Sequence, residues 1–86
     1  MPEISRFLGI IIAMHYRDHA PPHFHARYAG HRATVALGPL RLLEGQLPPR
    51  ALGLVMEWAS LHLDELHANW DRAARHESLA TIAPLE

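Results

Sequence analysis

Two proline pairs, Pro21-Pro22 and Pro48-Pro49, impose the strictest limit on how this chain folds. Adjacent prolines cannot both donate to a β-ladder, and each holds the residue before it extended. Arg17-Asp18-His19-Ala20-Pro21-Pro22 therefore reads as a rigid connection between strands. Gly45-Gln46-Leu47-Pro48-Pro49 is a second breaker. Proline is welcome in the first turn of a helix, so a helix is expected to start there.

The segments between these breakers carry strand periodicity. Residues 3 to 16 read as one strand, with Phe7, Ile11 and Ala13 on one parity and Leu8, Ile10, Ile12 and Met14 on the other. Hydrophobicity on both sides suits a central strand. Residues 23 to 28 alternate: Phe24, Ala26 and Tyr28 face one way, His23, His25 and Arg27 the other. Ala29-Gly30-His31 reads as a hairpin turn. Ala33, Val35 and Leu37 make a third strand, ended by Gly38-Pro39, and Leu40 to Glu44 a fourth. The spacing predicts an antiparallel meander of about four strands over residues 3–44.

One long helix is expected over about 49–75. At about 100° per residue, Leu52, Val55, Met56, Ala59, Leu63, Leu66, Trp70, Ala73 and Ala74 share one face. The tail, 76–86, has weak anchors in Leu79, Ile82 and Leu85. The expected architecture is α+β, a single domain over 1–86 with the helix packed on one face of the sheet. A single helix covers one face only. If the Phe24 parity meets it, His23, His25 and Arg27 point to solvent, a pocket or a partner.

Composition removes several chemistries. The chain has 86 residues, 49% hydrophobic, and no cysteine, which excludes disulfides, thiolate zinc sites and a thiol nucleophile. All eight basic residues are arginine, so Schiff-base chemistry and a lysine base are excluded. A net charge of −1 argues against a general polyanion binder. The run Gly9-Ile10-Ile11-Ile12-Ala13-Met14 is too short to span a bilayer and lacks the basic flank of a signal peptide. A soluble cytoplasmic chain with no membrane association is expected.

The remaining resource is histidine, eight in 86 residues. His23 and His25 are i and i+2 on one strand, so both imidazoles share a face. His19 precedes the stiff diproline that leads into this pair. His19, His23 and His25 are thus candidate ligands for a divalent transition metal such as zinc. Asp18 or Glu44 would add a carboxylate ligand or orient a ring. In a metal-free alternative, His23 and His25 act as general base and acid, with Arg27, and Arg17 as a further candidate, stabilising phosphate charge. A third reading leaves them as ordinary strand histidines. On the helix, Leu54, Trp58 and Leu61 form a second apolar strip, a candidate partner interface, whereas Trp70 reads as core.

These motifs resemble a known family. Met1-Pro2-Glu3-Ile4-Ser5-Arg6-Phe7, Gly9-Ile10-Ile11-Ile12, Asp18-His19-Ala20-Pro21-Pro22-His23-Phe24-His25-Ala26-Arg27-Tyr28, Leu43-Glu44-Gly45, Glu57-Trp58-Ala59 and Asn69-Trp70 resemble the bacterial domain of unknown function 4160. His19, His23 and His25 match family positions, while His15 stands where an aromatic is expected and is the weakest candidate ligand. The resemblance implies a small prokaryotic protein encoded beside a second one, of the family of unknown function 2442, as in toxin–antitoxin pairs. Two function classes follow. One is a toxin-like component whose histidine site binds metal or acts on RNA. The other is a non-enzymatic binding or regulatory module that uses the same face for its protein partner.

Overall fold

The computed structural model describes residues 2–85; Met1, which opens the N-terminal motif, and Glu86, the end of the expected tail, lie outside the described residues. The chain is α+β, but with five strands and two helices. The strands are β1 (Glu3–Phe7), β2 (Ile10–Ala13), β3 (His23–Tyr28), β4 (His31–Leu37) and β5 (Leu40–Gly45). They form one antiparallel meander in sequence order. The helices are α1 (Pro49–Leu61) and α2 (Leu63–Ala74).

The first correction lies in residues 3–16, which are a hairpin and not one strand. Phe7 pairs with Ile10 across a two-residue turn, Leu8 at φ 51° and Gly9 at φ 82°. Two successive positive φ values are the signature of the tight hairpin turn that matches strand twist. Glycine supplies one of them freely; leucine is an unusual occupant of the other. Tyr28 packs over Gly9, so a Cβ there would also meet its ring at 3.3 Å. The two-sided hydrophobicity thus belongs to two paired strands.

The second correction is a helix break. His62, at φ −126° and ψ 25°, ends α1 and starts α2. The sheet's inner face supplies Phe7, Ile10, Ile12, Phe24, Ala26, Ala33, Val35 and Leu37 to the core. From the helices come Ala51, Val55, Trp58, Ala59 and Leu66. Trp58 is fully buried, 5.4 Å from the Phe7 ring and 5.9 Å, edge-on, from Phe24. It is therefore core, and the expected Leu54/Trp58/Leu61 strip does not exist as a surface. Leu54 packs partly against the core, and Leu61 alone stands 66% exposed. Trp70, expected in the core stripe, is only half-buried, and Ala74 is exposed.

The break matters for the site. Phe24 and His23 are neighbours on β3 with opposite orientations. Phe24 meets Trp58 on α1, while the His23 ring lies 5.1 Å from Trp70 on α2. Two separate helices thus serve opposite sides of the start of β3. The tail from 77 onward is bound as well: Ile82 N–H donates to Ile4 O, and Trp58 Nε1–H to Ala83 O. Among the described residues, no helix is long and apolar enough to cross a membrane.

Candidate metal centre

The site begins with the connection that carries the first proline pair. Asp18 is its centre. Its Oδ1 accepts the His19 N–H at 2.8 Å, which fixes the carboxylate on its own loop. Its Oδ2 lies 2.9 Å from His23 Nε2 and 3.3 Å from His25 Nε2. Burial alone would push the Asp18 carboxyl up, but the His19 N–H and the two rings outweigh it and hold it down to about 2. The group is an anion at neutral pH.

The two strand histidines are held differently. His23 is buried, and its Nδ1 donates to Pro21 O at 2.7 Å. A carbonyl only accepts, so Nδ1 carries a proton and Nε2 is directed at Asp18. The diproline thereby orients the first histidine of the motif through its own backbone oxygen. His25 faces Thr34, its cross-strand partner, with Nδ1 3.4 Å from Thr34 Oγ1. Burial lowers the His25 pKa, opposed by the Asp18 hydrogen bond and reinforced by His15 and His23. His25 is thus neutral, its Nε2–H donating to the Asp18 carboxylate and its lone pair on Nδ1 facing Thr34.

The third member is His15. Its ring lies 4.1 Å from that of His25. One ligand atom each from His15, Asp18 and His25 lie within 4.8 Å of one another. Ligands on a common tetrahedral zinc, at 2.0–2.1 Å from it, stand about 3.3 Å apart. The His25–Asp18 separation of 3.3 Å already has that value. Two neutral imidazoles and a carboxylate are a common donor set for zinc and for non-haem iron.

The expected ligand set is therefore redistributed. His25 joins the cluster. His23 reaches the same carboxylate from beside it and acts on Asp18, outside the three-residue group. His19 contributes its backbone N–H to Asp18; its side chain is exposed and outside the group. His15 takes the place given to His19. Register accounts for this, because Ala13 is opposite His25, so residue 15 comes up beside the same face. No spacing rule within one strand reveals a neighbour across two.

The open face continues from the centre. A groove of about 380 Å³ is lined by His15, His25, Arg27, Arg32, Thr34 and Glu44, together with backbone of β4 and β5. Arg27 is exposed there, two residues beyond His25. Arg17 is exposed at the far side of Asp18, where a narrow cleft runs to Trp70.

A family model, described as domain of unknown function (DUF4160), matches residues 9–71. The chain belongs to the DUF4160 family. The match spans β2, the diproline connection, β3 and the helices as far as Asp71, so the whole Asp18 cluster lies inside it. No curated protein and no solved structure matches this DUF4160 chain.

Proposed function

We propose that this DUF4160 protein is the metal-bearing component of a two-protein, toxin–antitoxin-like module of the bacterial cytoplasm, and that its centre acts on RNA. The observation that supports this most is the convergence of His15, Asp18 and His25 within 4.8 Å, with Asp18 anionic. A divalent transition metal such as zinc held there would supply Lewis acidity toward a phosphoryl oxygen. His25 and His15 would bind it through ring nitrogens, and Asp18 through a carboxylate oxygen. His23 would position Asp18 and fix its direction. Arg27 would meet the negative charge of the phosphate. The partner would be the small protein of the family of unknown function 2442.

The test uses untagged protein, since a histidine tag would mask the result. Metal analysis should find one equivalent, lost in Asp18→Asn and in His25→Ala. Failure to bind micromolar zinc would remove the metal. Induction of the gene without its neighbour should slow growth and deplete cellular RNA, and co-induction should relieve both. Unchanged growth in both cases would sink the RNA-directed role and leave the binding module.

A further inference from the structure

The open face of the sheet carries a charge arrangement that metal binding does not use. Arg27 on β3 and Arg32 on β4 are direct cross-strand partners. Both are exposed and lie on the side that bears His25 and Thr34. Like charges directly opposite one another destabilise an antiparallel pair. Two exposed arginines are paired with acids, Arg6 with Glu3 at 2.8 Å and Arg75 with Glu77 at 3.0 Å, whereas what sets Arg27 and Arg32 apart is that they face each other directly. Among the described residues, neither Arg27 nor Arg32 has a carboxylate at ion-pair distance. An anion between the two guanidinium groups would convert that repulsion into attraction.

The surroundings suit a phosphate. The pair forms the ridge between two depressions, the groove of about 380 Å³ that contains His25 and a second of about 290 Å³ beyond it. The first has the size of a small-ligand pocket, about 300–1,000 Å³. Guanidinium forks bind phosphate through paired charge-assisted hydrogen bonds. Along the strand, Arg27 stands about 7 Å from His25, on the same face. Glu44, cross-strand from Thr34 on β5, also lines the groove, so a bound anion must sit over the two arginines and away from that carboxylate. The attraction is local, because the net charge of the chain is −1.

We propose that Arg27 and Arg32 form a phosphate clamp, which seats a phosphate ester of a nucleotide or of a single RNA strand in the groove beside His25. This deepens the reading of RNA as substrate and rests on it for biological purpose, but the clamp itself needs no metal.

The experiment uses metal-stripped full-length protein at low salt. Binding is followed by thermal unfolding with inorganic phosphate or a nucleoside monophosphate, and by fluorescence anisotropy with a short labelled single-stranded RNA. All three should bind, the RNA tightest. The double substitution Arg27→Gln/Arg32→Gln should weaken RNA binding about tenfold or more. It should also reduce the slope of log affinity against log salt by about 1 to 2. Without ligand, the same variant should melt no lower than the parent, since it removes a like-charge pair. Arg50→Gln, the same charge change at an exposed position outside both depressions, should retain RNA binding. If free nucleotide binds as tightly as RNA, the clamp stands and its ligand is the nucleotide. Equal RNA affinity in the double variant overturns the clamp, as does an equal loss of RNA binding in Arg50→Gln. Loss of metal binding ability in the parent, with RNA binding kept, overturns the metal centre and leaves the clamp standing.

Discussion

Asp18 concentrates the energetics of the site in one carboxylate. Its pKa falls from 3.8 to about 2 on folding. A depressed acid stabilises the fold above its unfolded value and loses that contribution as pH falls through the folded one. The His25 pKa is lowered from 6.5, chiefly by burial, so protonation of this ring favours the unfolded chain. Both effects have the same sign. The metal-free protein should lose stability as pH falls below 6.5, and again between about 4 and 2. Asp18→Asn should flatten the second fall, which urea midpoints measured across pH would register. A second expectation separates the histidines. His23→Ala leaves the Pro21 carbonyl without its donor and should cost about 1–3 kcal/mol. It should also lower metal affinity by about 10–100-fold, the usual effect of removing a group that orients a ligand. His19→Ala should change neither quantity in calorimetric titration with zinc. Asp18 and His25 were legible in the sequence because turn and strand rules act within a few residues. His15 and His19 exchanged roles because the pairing of β2 with β3 decides which flanking residue returns to the face.

Where the elements end was less legible than where they exist. The breakers built on proline and glycine at 21–22 and 38–39 fell between elements, and Pro48-Pro49 fell at the start of α1, since proline removes a donor wherever it stands. The turn at Leu8-Gly9 had only one residue of turn character. The break at His62 had neither glycine nor proline, so helical periodicity ran through it unmarked. The buried face runs on across it: Leu66 on α2 joins the same core as Val55 and Trp58 on α1, while Trp70 reaches His23. The position of α2 depends on the tail. Asn69 is fully buried on α2, donates through Nδ2 to Ala80 O at 2.8 Å and accepts Ala80 N–H through Oδ1 at 2.9 Å. One amide thus satisfies both backbone groups of one tail residue. Asn69→Ala removes both bonds and should cost about 1–3 kcal/mol, less than two fully orphaned groups would, because Ala80 is exposed and water can reach its backbone. The loss should appear in denaturant unfolding, with faster proteolysis after residue 76 under native conditions. A variant as protease-resistant as the parent would mean that Ile82 and Trp58 hold the tail unaided.

At the scale of the molecule, Trp58 joins parts that are far apart in the chain. It touches Phe7 of β1 and Phe24 of β3, and its indole N–H closes on Ala83 O of the tail. The face rule assigned tryptophans on one ideal helix axis, and it interchanged them: Trp58 became surface and Trp70 core. At about 100° per residue the buried Ala51, Val55, Trp58, Ala59, Leu66, Asn69 and Ala73 share one arc that runs through His62, with Trp58 inside it and Trp70 just beyond its edge; the polar Asn69 on that arc is why hydrophobicity alone drew the expected stripe toward Leu52, Met56 and Trp70. Strand alternation needs no axis beyond one strand, so Phe24, Ala26, Ala33, Val35 and Leu37 fell inside as expected. The two tryptophans now have opposite expectations. Trp58→Ala should remove about 3–5 kcal/mol. A chain of 86 residues carries about 4–13 kcal/mol at about 0.05–0.15 per residue, so this variant should be close to unfolding at ambient temperature. Trp70→Ala, at a half-buried position, should cost clearly less. Its larger effect should fall on the site, because the ring packs against His23, which the Pro21 carbonyl orients toward Asp18. Guanidinium unfolding of both variants, beside zinc titration of Trp70→Ala, makes the comparison. Equal stability losses would show that Trp70 is as much a core residue as Trp58, and would remove the ground for giving it a role at His23 in place of one in the core.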